Sequence, residues 1–113
     1  MFLFKKKQPH FIQVMTSVPN QDVSQKLTQL LLDHKLAACI QEVGPITSHY
    51  LWEGKQERSK EYLLLIKSLS KQYKYIEKVI LEHHPYDCPE IIATPLTSGL
   101  KNYLHWIETS TTD

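Results

Sequence analysis

Two imidazoles, a thiol and two carboxylates fall within eight residues of this 113-residue chain, in His83-His84-Pro85-Tyr86-Asp87-Cys88-Pro89-Glu90. Such donors suit soft and borderline transition metals, with thiolate favouring Cu(I) and imidazole Cu(II). The two prolines restrict the backbone, so the donors sit on a defined turn. His84, His83 and Cys88 are the candidate ligands. A structural zinc site takes four ligands, and this segment supplies three without a carboxylate, so the set is incomplete. The competing use of the histidines is at a helix C-terminus, where imidazole meets unpaired carbonyls and the negative end of the dipole. No resident cofactor is required; copper or another divalent cation is the ion these donors would take.

Cys39, flanked by Ala38 and Ile40, reads as a small buried thiol and a lesser metal candidate. It has no neighbouring base to make it a nucleophile, so the chain reads as a binding protein and not an enzyme. Trp52, Glu61, Lys67, Tyr86 and Glu90 offer aromatic walls with a few charges, as a small-ligand cleft needs. These residues would meet between subunits, and the favoured use there is a subunit interface with paired charges rather than a ligand pocket. Glu61 and Lys67 share one face of one strand but lie roughly 20 Å apart, too far to pair within a subunit.

The elements that position these residues follow from apolar periodicity. Residues 11 to 18 predict a strand, stopped by Pro19. Asn20 caps a helix over 21 to 34, with Val23, Leu27, Leu30, Leu31 and His34 on its buried stripe. Residues 37 to 43 form a second strand, which Gly44-Pro45 bulges or bends. It continues extended to Glu53, with Ile46, Ser48, Tyr50 and Trp52 on one face. Gly54 turns the chain, and 57 to 68 return as a third strand, making a long hairpin arm. Ser70 caps a second helix striped by Tyr73, Ile76, Ile80 and His83, ended by Pro85. Residues 91 to 97 give a fourth strand, with Pro95 placing it on an edge. Residues 101 to 109 form a short closing helix.

This order is the ferredoxin-like βαββαβ sandwich, an α+β fold, with an extra C-terminal helix and a long β-hairpin arm. Two helices would cover one sheet face only. Yet Glu61-Tyr62-Leu63-Leu64-Leu65-Ile66-Lys67 is apolar on both sides, unlike a strand with one wet face. The uncovered face and the arm therefore predict a homo-oligomer, unless the closing helix folds over that face.

Bulk composition narrows the partners. Thirteen basic against twelve acidic residues leave a net charge of +1, no footprint for nucleic acid or an anionic membrane. Lys5-Lys6-Lys7 is the one basic run, in an N-terminal tail of residues 1–10; residues 11–113 form a single domain. No stretch approaches the roughly 20 apolar residues of a membrane span, and Met1 to Phe4, short and ahead of the lysines, does not read as a secretory signal. Two cysteines far apart in sequence read as free thiols, with the cytoplasm as the default compartment. The same fold hosts RNA-recognition modules and acylphosphatases. The chain has neither an aromatic-rich basic strand nor a glycine-rich phosphate loop, and Arg58 is its one arginine.

Five segments in register carry a resemblance: Lys35-Leu36-Ala37-Ala38-Cys39-Ile40, Tyr50-Leu51-Trp52-Glu53-Gly54-Lys55, Leu64-Leu65-Ile66-Lys67, His84 to Ile92, and Tyr103-Leu104-His105-Trp106. From about Phe11 to Glu108 the chain resembles the CutA divalent-cation-tolerance family. The resemblance implies a homotrimer, similar to that of the PII signalling proteins, with sheets around a threefold axis and arms reaching across to neighbours. It implies a role in tolerance to copper and other divalent cations. It also admits a PII-like small-ligand sensor or scaffold that binds at subunit interfaces. Copper-binding relatives can carry a cysteine at the end of the first strand, where this chain has Met15 and Thr16. Cys88 stands where relatives vary, so its thiol inherits no family role.

Overall fold

Strand β1 (Phe11–Val18) runs through the middle of the sheet, as its apolar residues on both sides require. The computed structural model describes residues 10–111; Lys5-Lys6-Lys7 and the rest of residues 1–9 lie outside them. The order of elements is β1, α1 (Gln21–Asp33), β2 (Cys39–Trp52), β3 (Lys55–Leu69), a short 3-10 turn (Ser70–Gln72), α2 (Tyr73–His83), β4 (Ile92–Pro95) and α3 (Lys101–Ser110). The sheet order is β2-β3-β1-β4, antiparallel throughout. β4 is an edge strand, which accommodates Pro95.

Alternation along β1 and β3 divides the sheet into two faces. Ile12, Val14, Val18, Leu64 and Ile66 turn towards α1 and α2 and form one core with Leu27, Leu31, Ile76 and Ile80. Asn20 caps α1 as its sequence predicts, its Oδ1 accepting from Val23 N at 2.9 Å. At the other end of α1, His34 is the C-cap and exposed, not part of the buried stripe; Ser24 is buried in the first turn instead. The chain reverses through Lys35, at φ 54, with Leu36 N donating to Leu31 O and Lys35 N to Leu32 O. This is a Schellman closure without its usual glycine.

Four other expectations are corrected. β2 begins at Cys39 and not at residue 37, although the bulge expected at Gly44-Pro45 is there, the register slipping between Val43 and Ile46. Ser70 opens a 3-10 turn and does not cap α2 directly. β4 is only four residues long. The closing helix also covers part of the second sheet face. Leu69 and Ile107 are fully buried outside the helix-side core, and α3 packs on β3. Tyr103 lies against Cys39, and burial, followed by that thiol, raises its phenol pKa.

What α3 leaves is a band in the middle of that face. Register places Gln41, Leu65, Met15 and Ile92 side by side, with Val43, Leu63 and Ser17 in the next row. Val43 and Ile92 are exposed. Beyond Tyr62, which pairs with Val18 at the end of β1, strands β2 and β3 have only each other. This arm ends in a two-residue turn, Glu53 at φ 51 and Gly54 at φ 78, the left-handed pair that tight hairpins use.

Candidate functional site

The segment after α2 is built to bend back onto the sheet. Pro85 forces His84 out of the helix, to φ −87 and ψ 136. His84 is then buried against the end of β1. Its Nε2 lies 2.7 Å from Ser17 O, and its Nδ1 accepts from Tyr86 N at 3.1 Å. A backbone carbonyl only accepts and a backbone amide only donates, so Nε2 carries the hydrogen and Nδ1 gives its lone pair to the amide. No lone pair is left for a metal. His84, which the sequence put first among the ligands, is a pin between α2 and β1.

His83 is half-buried on α2, and Cys88 is an exposed free thiol. Among the described residues, no three His, Cys, Asp or Glu side chains gather into a group able to hold a metal ion. The expected trio of His83, His84 and Cys88 is therefore not brought together. Cys39 sits at the opposite end of the sheet, cross-strand from Lys67, beside Tyr103.

Tyr86 is the second anchor of the turn. Its hydroxyl donates to Glu61 Oε2 at 2.8 Å, and its ring lies 4.7 Å from that of His84. Burial, then the hydrogen bond to Glu61 and its negative charge, and finally nearby Tyr50 push the Tyr86 phenol up to about 12. Glu61 is only 5% exposed, so this donor compensates a carboxylate withdrawn from water.

Between this turn and the arm lies a cleft of about 720 Å³. Tyr50, Trp52 and Tyr86 supply aromatic surface; Glu61, Asp87 and Glu90 supply carboxylates; His49 and Cys88 supply a nitrogen and a sulfur. Among the described residues, no lysine or arginine lines it. Tyr50 is held by a 2.7 Å hydrogen bond between its hydroxyl and Ser59 Oγ. Of the five residues predicted for a cleft, Trp52, Glu61, Tyr86 and Glu90 meet here. Lys67 does not; it donates to Gln41 Oε1 at 2.8 Å, at the other end of β3. Sequence reasoning missed His49 and Tyr50. The alternation of β2 put Tyr50 with Trp52, but only the fold shows that the arm leans against the 85–90 turn.

The CutA1 divalent ion tolerance family model matches residues 12–110. "Divalent-cation tolerance protein CutA" of Thermus thermophilus is 34% identical over 98 residues, covering 87% of this chain and 95% of that protein. "Protein CutA, chloroplastic" of Arabidopsis thaliana is 40% identical over 100 residues, and the chain spans 55% of its length and matches with 88% of its own. The structure of the "periplasmic divalent cation tolerance protein CutA" of Archaeoglobus fulgidus superposes with a TM-score of 0.86 at 31% identity, covering 88% of this chain and 97% of that one.

Proposed function

The chain belongs to the CutA1 divalent ion tolerance family, and on that premise we propose that it is a non-catalytic homotrimer serving copper and other divalent-cation tolerance by weak binding at the cleft. The observation that carries this reading is the chemistry of the cleft wall: three carboxylates, an imidazole and a thiol, with no lysine or arginine beside them among the described residues. Such a wall concentrates cations. Cys88, exposed on its rim, is the soft donor that a copper ion would seek first. His49 and Glu90 share the cleft as further donors. Binding is weak because the donors are not pre-assembled and must be drawn together by the ion.

Trimerisation rests on a separate observation. The Leu65–Met15–Ile92 row and the unsupported arm are the surfaces that neither the helix layer nor α3 covers. Leu65→Lys is expected to drop the mass in solution to that of a monomer while the secondary structure persists. An unchanged mass would remove this face from the interface. The free thiols of Cys39 and Cys88 fit residence in the reducing cytoplasm.

Calorimetric titration with Cu(I) under reducing conditions, and separately with Cu(II), tests the site. Cys88→Ser should weaken copper binding by about tenfold or more, the loss of its one soft donor. His84→Ala should lower stability and leave copper affinity within about threefold, its ring nitrogens being already engaged. Copper binding that survives Cys88→Ser unchanged places the ion elsewhere. The aromatic half of the cleft favours a second reading, a small-ligand sensor.

A further inference from the structure

The near-neutral total of +1 conceals one basic corner. Ser70 N donates to His10 O at 2.9 Å, so the start of the α2 segment lies against the point where the chain enters β1. This is the end of β1 away from Ser17 and the cleft. Lys71, Lys74 and Lys78 follow, exposed on the 3-10 turn and on α2. Lys5, Lys6 and Lys7 precede His10 by three to five residues, so roughly 18 Å of chain at most separates them from it. The acids near the corner are few. Glu108 is engaged by His10 at 3.0 Å, and Glu77 accepts from the hydroxyl of Tyr73. Glu82 is the one acid exposed on the outer side of α2.

Apolar side chains accompany the lysines. Tyr75 and Leu81 are 55% and 53% exposed. At 3.6 residues per turn, Leu81, Lys74, Lys78 and Tyr75 fall within one arc of about 120° on α2. Phe2-Leu3-Phe4 stands directly before Lys5-Lys6-Lys7. Lysines interleaved with aromatic and aliphatic groups suit the boundary of an anionic bilayer, where ammonium groups meet headgroups and the apolar groups enter the acyl edge. A nucleic acid or an acidic protein would use the lysines and leave Phe2, Leu3 and Phe4 without a role. Lys74 also lines a groove of about 530 Å³ between α2 and β4, room for a headgroup. The outer side of α2 is open in the single chain, and it lies on the sheet face opposite the Leu65–Met15–Ile92 band that the trimer reading buries. We propose that this corner is a peripheral docking surface for an anionic lipid bilayer, held by Lys74, Lys78 and the Lys5–Lys7 run with Phe2 and Phe4 as the apolar anchor. The inference goes beyond the cleft and does not depend on copper at Cys88.

Co-sedimentation of the full chain with vesicles tests this. Vesicles of phosphatidylcholine with phosphatidylserine are compared with vesicles of phosphatidylcholine alone, at low and at high salt. Binding is expected to the phosphatidylserine vesicles only, and it should fade as salt screens the lysines. Lys74→Glu combined with Lys78→Glu should weaken it about tenfold or more, through two lost attractions and two added repulsions. Phe2→Ser combined with Phe4→Ser should weaken it about tenfold as well, through lost insertion. Both lysines are exposed, so circular dichroism and the mass in solution should stay those of the parent chain. Cys88→Ser should leave vesicle binding unchanged, which keeps this test apart from that of the copper site. No binding to phosphatidylserine vesicles, equal binding to both kinds of vesicle, or unaltered binding after the exchange of Lys74 and Lys78 would overturn the proposal. Exchange of Phe2 and Phe4 without effect would overturn it too, and displacement from the vesicles by a short RNA in that case would assign the lysines to a polyanion instead.

Discussion

The two halves of β3 are one continuous strand with opposite chemistry. From Leu63 to Lys67 it lies between β1 and β2, with Leu64 and Ile66 fully buried under the helices. From Lys55 to Lys60 it pairs only with β2, and nearly every residue is exposed. The apolar half holds the fold together. The polar half carries little of the stability and reaches out to frame a cleft. Glu61 marks the boundary: it is buried like the root, yet it faces the site.

Substitutions on either side of that boundary should behave differently. Leu64→Ala is expected to cost about 2–5 kcal/mol by leaving a cavity in the core. Lys60→Ala, on the arm, should stay within about 0.5 kcal/mol. Urea unfolding measures both, and similar losses would erase the distinction between the halves. Gly44 forms the joint where β2 leaves the sheet. A Cβ there would sit 2.7 Å from Cδ1 of Tyr62 and 3.1 Å from Glu61 O. Gly44→Ala should therefore cost about 1–3 kcal/mol by forcing the ring or backbone aside, and it should perturb the cleft as well. A neutral result would mean that the joint yields freely.

Thr16 sharpens the picture of the root from the other direction. It sits opposite Leu64 with a buried hydroxyl that has no hydrogen-bond partner among the described residues. Replacing it by the near-isosteric valine removes an unsatisfied polar atom and should stabilise the fold by about 1 kcal/mol. A loss of stability would show that the hydroxyl is satisfied in solution.

A pH-dependent effect lies at the boundary itself. The Tyr86 phenol titrates near about 12 in the folded chain against an ordinary 10. Between those values the folded state holds more protons than the unfolded one, so stability falls as pH rises through that window. Below it the contribution is fully present. Tyr73 and Tyr103 are shifted in the same direction, so the quantity to follow is the difference between the parent chain and Tyr86→Phe. The variant should lose stability less steeply from pH 10 to 12. Parallel curves would mean that Tyr86 is not held on Glu61.

The root of the molecule was legible in the sequence because burial writes itself as periodicity. The stripes of α1 and α2, the Asn20 cap, the stop at Pro85 and the two-sided apolar run in β3 each followed from local rules. The departures have local causes too. Lys35 takes a left-handed position where glycine is expected, so the end of α1 carried no composition signal. The α3 stripe shows an apolar side but not which face of the sheet it will cover. The cleft was legible in part: Trp52, Glu61, Tyr86 and Glu90 line one cleft within a single chain, where the sequence suggests a meeting between subunits, and His49 and Tyr50 join them only because the arm leans on the 85–90 turn. His84 is held in the fold for a reason that no spacing reveals. Whether an imidazole is a ligand depends on what its two nitrogens already hold, and these hold a carbonyl and an amide.

X-ray absorption at the copper edge, on the full chain loaded with one equivalent of Cu(I), tests the proposed cation site most directly. A sulfur shell around copper that disappears in Cys88→Ser and persists in Cys39→Ser is the result expected for an ion held on the cleft rim. A sulfur shell that follows Cys39 instead, or a spectrum unchanged by loss of Cys88, would contradict it.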